Sequence, residues 1–114
     1  MAPAMVHPLS AEAAELVARR FAILAEPMRL RLLDSLREAG ELSVRELAEA
    51  LEATHGNVSR HLNLLYAEGI VGRRKEKTRV LYRIADQTVF DLCEQVCGGI
   101  ERQLEARGAA FAAA

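Results

Sequence analysis

Cys93 and Cys97 are the two cysteines of this 114-residue chain, and they stand at i and i+4. On a helix that spacing puts both thiols on one face, with Cβ atoms about 5–6 Å apart. An unstrained disulfide needs about 3.5–4.5 Å between its Cβ atoms, so the pair does not bridge without distortion. Two thiolates at that separation can instead share one soft ion, with bonds near ~2.3 Å for zinc. Three readings stand side by side: small buried hydrophobes that only pack, a soft metal or metalloid site, and a sensor of oxidants or sulfur species. Trivalent arsenic takes three thiolates, so a third donor would have to come from elsewhere. His7 is one candidate recruit. Two paired chains whose last helices cross at this point would bring four thiols together. A thiol enzyme fits poorly. Lowered thiol pKa values arise at helix N-termini or beside cations, whereas these thiols lie two turns into a helix beside Asp91 and Glu94.

The second constellation is cationic. Net charge is only −1, but residues 54–83 carry Arg60, Arg73, Arg74, Lys75, Lys77, Arg79 and Arg83 against Glu68 and Glu76, a local +5 on a remainder of −6. A basic stretch on an acidic body is an electrostatic footprint for a polyanion. Its first half holds the side chains that read base edges. Arg60 can bond guanine in bidentate fashion, and Asn57 or Asn63 can do the same for adenine. Thr54 and Ser59 suit phosphates or bases, His55 flanks them, and Gly56 allows close backbone approach. Its second half, Arg73, Arg74, Lys75, Lys77 and Arg79, suits phosphates or the minor groove, contacts that position a protein without specifying sequence. His61 follows Val58 by three residues at the edge of an apolar face, where packing or hydrogen bonding suits it better than base readout.

Positioning these groups requires particular elements. Ser10 can cap a helix to about Leu24, with Ala13, Leu16, Val17, Phe21 and Leu24 on one apolar face. Pro27 opens a second helix, ended by Gly40. Ser43-Val44-Arg45-Glu46 is a capping box opening a short third helix with Val44, Leu47, Ala48 and Leu51 inward. Thr54 caps a fourth helix to about Ala67, with Val58, Leu62 and Leu65 inward and Gly56, Ser59, Arg60 and Asn63 outward. Two short helices joined at Glu52-Ala53 form a helix-turn-helix. Ile70 to Lys75 and Arg79 to Ile84, separated by Glu76-Lys77-Thr78, read as a β-hairpin with Arg73 to Lys75 and Lys77 at its tip. Asp86 caps a last helix to about Arg107, striped by Val89, Cys93, Val96, Ile100 and Leu104.

The expected fold is therefore mainly α with a small β-hairpin: a winged helix-turn-helix of order α-α-α-α-β-β-α. One domain is expected over 10–107, between a loose arm at 1–9 and a tail at 108–114. No apolar run approaches the ~18 residues of a membrane span, and Met1 to Leu9 lacks signal-peptide regions, so a cytoplasmic protein is expected. A helix-turn-helix followed by a basic ribbon implies double-stranded DNA as partner. The alternatives are a winged-helix protein-interaction module, or a regulator that answers to no ligand and whose cysteines only pack.

The stretch Leu24-Ala25-Glu26-Pro27-Met28-Arg29-Leu30-Arg31-Leu32-Leu33 resembles the second-helix signature of the ArsR/SmtB family. Val58-Ser59-Arg60-His61-Leu62, Leu65 and Glu68-Gly69-Ile70-Val71 resemble its recognition-helix signature, and Tyr82-Arg83-Ile84 the end of its wing. The resemblance covers about residues 16 to 104. It implies a homodimer built from the first and last helices, binding an inverted-repeat operator, repressing, and released by an inducer. The family's third-helix metal cysteines are replaced here by Ser43 and Arg45. Its last-helix zinc site matches at Asp86 but falls on Thr88, Gly99 and Arg102 elsewhere. The second-helix cysteine of its persulfide-sensing members has no counterpart. The wing tip lacks the usual glycine.

Overall fold

The computed structural model describes residues 8–112. His7, the rest of the first seven residues and residues 113 and 114 lie outside the described residues, so of the arm expected at 1–9 only Pro8 and Leu9 are seen. The elements run α1 (Ala11–Leu24), α2 (Pro27–Ala39), β1 (Leu42–Ser43), α3 (Val44–Leu51), α4 (His55–Ala67), β2 (Val71–Glu76), β3 (Arg79–Ile84) and α5 (Gln87–Ala106).

Each helix starts where a side chain can satisfy its orphan amides. Ser10 Oγ accepts from the Ala13 amide at 3.0 Å. The Glu26 carboxylate accepts from Arg29 N at 2.9 Å, with Pro27 in the first turn. Ser43 Oγ accepts from Glu46 N at 3.2 Å while Glu46 Oε1 accepts from Ser43 N at 2.9 Å, completing the capping box. That last bond, to a backbone amide, holds the Glu46 carboxyl below its ordinary pKa. Thr54 Oγ1 accepts from Asn57 N at 3.1 Å and opens α4. Between α3 and α4, Glu52 takes a left-handed φ of 52°, the bend that sets the two helices of the motif at an angle.

The core is a wedge among α2, α3, α4 and the sheet. Leu32, Leu33 and Leu36 of α2, Leu47 of α3, and Val58, Leu62 and Leu65 of α4 are all buried, with Ile70, Val71 and Tyr82 beneath them. The outer helices join it by one buried residue each, Leu24 of α1 and Val89 of α5.

The sheet departs from expectation in two ways. It has three antiparallel strands in the order β1-β3-β2 rather than a bare hairpin. The extra strand pairs Leu42 with Tyr82 and Ser43 with Leu81. Two residues carry no alternation to read, and only the docking of α3 against the wing creates this strand. The turn is also tighter than three residues. Glu76 pairs with Arg79, leaving Lys77-Thr78 as a two-residue loop. Lys77 takes φ 58° there, a position that favours glycine.

Candidate nucleic-acid interface

Helix α4 divides cleanly. Val58, Leu62 and Leu65 are fully buried, which fixes the rotation of the helix. Gly56, Arg60 and Asn63 are consequently exposed, while Asn57 and Ser59 are half-buried. Arg60 Nη2 donates to Asn57 Oδ1 at 2.6 Å, one turn back. The bond holds the guanidinium along the helix and takes one of the two lone pairs of the Asn57 side-chain oxygen, leaving the second lone pair and two N–H donors for a base edge. His61 turns inward. Its Nδ1 lies 3.2 Å from an Arg29 guanidinium nitrogen and 3.9 Å from Glu26 Oε2, with the side chain 13% exposed. Arg29 Nε also donates to the Ile23 carbonyl at 2.6 Å. The histidine thus ties α4 to the α1–α2 corner, in keeping with the hydrogen-bonding role expected for it.

The wing lies beside the start of α3. A groove of about 570 Å³ runs between them, lined by Arg45, Glu46, Thr78, Arg79 and Val80 among others, with His55 the one α4 residue on its wall. It brings two expected site residues, His55 and Arg79, to a common wall. Arg45 joins them and was not among the expected site residues. The signal is in the sequence: Arg45 is a basic residue on the outward face of the first helix of the motif.

The five wing cations are not equivalent. Arg73 does not sit at the tip, as expected, but midway along the ribbon opposite Tyr82. Its guanidinium stacks on the Tyr66 ring at 3.9 Å, which pins the wing to the end of α4. Arg74 is likewise off the tip. It donates twice to Glu41 at 2.8 Å and once to Glu76 at 3.0 Å. These hydrogen bonds push its pKa up and the Glu41 carboxyl down. Arg79 Nη1 lies 3.6 Å from Glu46 Oε1. Among the described residues, Lys75 and Lys77 have no carboxylate partner, and both are exposed. Opposite Gly72 lies Arg83, so close that a Cβ on the glycine would stand 3.0 Å from its guanidinium carbon.

Cys93 and Cys97 lie away from this surface. Both are half-buried on α5 and line an apolar pocket with α1 and α2. Burial, then proximity to Cys97, pushes the Cys93 thiol pKa up. Among the described residues no three His, Cys, Asp or Glu stand close enough to hold a metal ion.

Residues 26–72 match the family described as bacterial regulatory protein, arsR family. The chain is also 33% identical over 93 residues to a transcriptional repressor SmtB homolog of Synechocystis sp., covering 82% of this chain and 70% of the relative. The chain belongs to the ArsR family. Solved ArsR-type structures agree in fold. The antimony-specific transcriptional repressor AntR superposes with a TM-score of 0.79 at 31% identity, over 86% of this chain and 88% of that one. A homodimeric winged helix-turn-helix DNA-binding domain from Mycobacterium bovis gives 0.74 at 34% identity, over 89% and 95%. As an ArsR-family winged helix, the chain is a DNA-binding transcriptional regulator. The family consists of regulators rather than enzymes, which disposes of the thiol-enzyme reading. Among the described residues no helix is long and apolar enough to cross a membrane.

Proposed function

We propose that the chain is a cytoplasmic repressor that pairs through α1 and α5 and places two copies of α4 on an inverted-repeat operator. The observation that carries the reading is the division of labour on α4: an apolar side locked into the core and an opposite side presenting Arg60 and Asn63 beside a cationic wing. A major groove admits one helix, whose N-terminal residues reach base edges. Thr54, His55, Asn57, Ser59, Arg60 and Asn63 supply that readout. Lys75 and Lys77 supply phosphate contacts directly. Arg74 and Arg79 do so by exchanging carboxylates for phosphates, and Arg73 by anchoring the wing. Pairing is supported by the exposed apolar faces of the outer helices, Leu16, Val17 and Phe21 on one and Val96 and Ile100 on the other. One solved relative is a homodimer.

An antimony-specific relative makes a soft metal the first candidate for the inducer. Among the described residues the donor set of one subunit does not fit such an ion: it stops at two thiols, one of them disfavoured as a thiolate by burial.

Selection of bound duplexes from a random pool is the direct test. The expected product is a two-fold symmetric site bound by two chains. Arg60→Ala then costs about 1–3 kcal/mol and relaxes preference at one base pair per half-site. An unchanged selection profile for Arg60→Ala would remove α4 as the reader, and unsymmetric products would remove the dimer.

A further inference from the structure

Val58, Leu62 and Leu65 fix α4 within the inner helices, but those helices meet α1 and α5 through one buried residue each, Leu24 and Val89. Packing across that joint is thin, so polar bonds carry more of it. Two of them lead from α1 to α4. Arg19 bonds Glu68 at 2.7 Å with its side chain 66% exposed, where water screens an ion pair. The other runs through Arg29, which is half-buried. Arg29 Nε donates to the Ile23 carbonyl in the last turn of α1 at 2.6 Å, an oxygen with no helical amide of its own to accept from. Arg29 Nη1 lies 3.2 Å from His61 Nδ1. A guanidinium only donates, so Nδ1 is the acceptor and the ring proton sits on Nε2. Glu26 Oε2, 3.9 Å from the same nitrogen, is too far for a hydrogen bond. One guanidinium thus links the backbone of the proposed pairing helix to the reading helix, at the residue that follows Arg60.

We propose that His61 is a positioning residue: its Nδ1, held by Arg29, fixes the angle of α4 against α1 and so sets which half-site separation the dimer accepts. The inference rests on the pairing reading. With α1 at the two-fold axis, its angle to α4 determines the distance and rotation between the two copies of α4, and each subunit contributes the same joint. B-DNA turns by about 35° per base pair. One base pair of extra separation is a large error for a stiff joint and a small one for a loose joint. His61 itself is mostly buried and turns its acceptor nitrogen to Arg29, which sets it apart from the base readers Arg60 and Asn63.

The test uses the full chain and duplexes that carry the selected half-sites at separations stepped by one base pair, with an isolated half-site as reference. The wild type is expected to favour one separation. His61→Leu is similar in size and removes the acceptor. It is expected to lower affinity at that separation about tenfold, the scale of a hydrogen bond to a charged group, and to level the profile across separations. Sedimentation and isolated half-site binding are expected to stay unchanged. His61→Gln, whose amide oxygen can accept from Arg29, is expected to keep the wild-type profile. Arg29→Met is expected to level it, and the double variant Arg29→Met/His61→Leu to do no more than Arg29→Met alone. Melting followed by circular dichroism checks that each variant is folded at the assay temperature, and His61→Gln with Arg29→Met carry the same comparison should His61→Leu not be. Three results each overturn the proposal: a loss in His61→Leu that is equal on the isolated half-site and the full operator, an unaltered separation profile in His61→Leu, or a profile levelled as much by His61→Gln as by His61→Leu. A dimeric wild type indifferent to separation overturns it as well. A wild type that sediments as a monomer on every duplex overturns the pairing reading, and this inference with it.

Discussion

The α3 helix has eight residues and buries two of them, whereas α5 has twenty and buries one. Both carry apolar stripes. The inner block of α2, α3, α4 and the wing closes its own core, with Leu32, Leu47, Val58, Leu62, Leu65 and Ile70 all fully buried. The outer pair does not. Phe21 is 53% exposed and Val96 56%, although both sit on faces as apolar as those inside. A monomeric protein rarely exposes contiguous apolar surface of this kind, and a two-fold axis lets one such surface cover its own copy. The same hydrophobic pattern thus encodes folding in one region and association in the other.

That contrast is broken most severely by charging the outer faces. Phe21→Asp combined with Ile100→Asp is expected to give a monomer that stays folded. Its affinity for a full operator should fall by roughly 10²–10⁴-fold, the advantage of two linked reading helices over one. Sedimentation, circular dichroism and duplex titration measure the three parts. Retained dimerisation would mean that the outer helices pair through other residues. The complementary change is Leu62→Ala in the inner block. It should cost about 2–5 kcal/mol of stability, and the loss should be the same at every protein concentration if it acts within one chain. A loss that shrinks as protein concentration rises would show that the inner core also depends on association.

The inner block was the more legible region, for a physical reason. Its helices are bounded by local chemistry: Ser43 with Glu46, Thr54, Pro27 and Gly40 each act within four residues, and the periods of Val58, Leu62 and Leu65 need no partner to interpret. What escaped sequence reading is tertiary. Strand β1 exists only because Leu42 and Ser43 meet Tyr82 and Leu81. Arg74 is equally basic in the sequence and in space, but Glu41 lies 33 residues upstream, and nothing local marks it as a partner. Arg73 lies midway along the ribbon because the pairing runs on to Glu76 and Arg79, and its anchor, the Tyr66 ring, belongs to another element. The thiols of Cys93 and Cys97 were legible as neighbours. The pocket they line was not, since Leu30 and Arg37 come from another helix.

The pairing of wing cations gives a sharper test inside the inner block. Lys77 is expected to bear on phosphate directly, so Lys77→Ala should reduce the slope of log affinity against log salt by about 0.9 for each subunit bound. Arg74 must first leave Glu41, and the protein–protein bond it gives up offsets the phosphate bond it gains. Arg74→Ala should therefore change the slope less than Lys77→Ala does, and Glu41→Gln, which releases Arg74, should tighten binding to every sequence alike. Salt titrations of the three variants on one duplex are enough. If Arg74→Ala proves the most damaging of them, its carboxylate pairing is absent in the complex and the ranking of the wing cations is reversed.

The smallest effect concerns the joint between the outer helices themselves. Asp86 caps α5, accepting from Thr88 N at 3.0 Å and from the Thr88 hydroxyl, and its second oxygen accepts from the Arg20 guanidinium of α1. The Thr88 hydroxyl bond, with help from Arg20, holds this carboxyl below its ordinary pKa. The unfolded chain then takes up the proton before the folded chain does. The stabilisation is complete above the ordinary aspartate value, about 3.9, and is lost as pH falls from there through the lower folded value. Because the carboxylate joins α1 to α5, acid should loosen the outer pair before it touches the inner core. Asp86→Asn keeps a capping oxygen but has no proton to gain. Its melting temperature should lie slightly below wild type at neutral pH and converge on it in acid. Parallel melting curves across the whole range would place the acid-sensitive joint on another carboxylate, with Glu68, bonded to Arg19 at 2.7 Å, as the next to test.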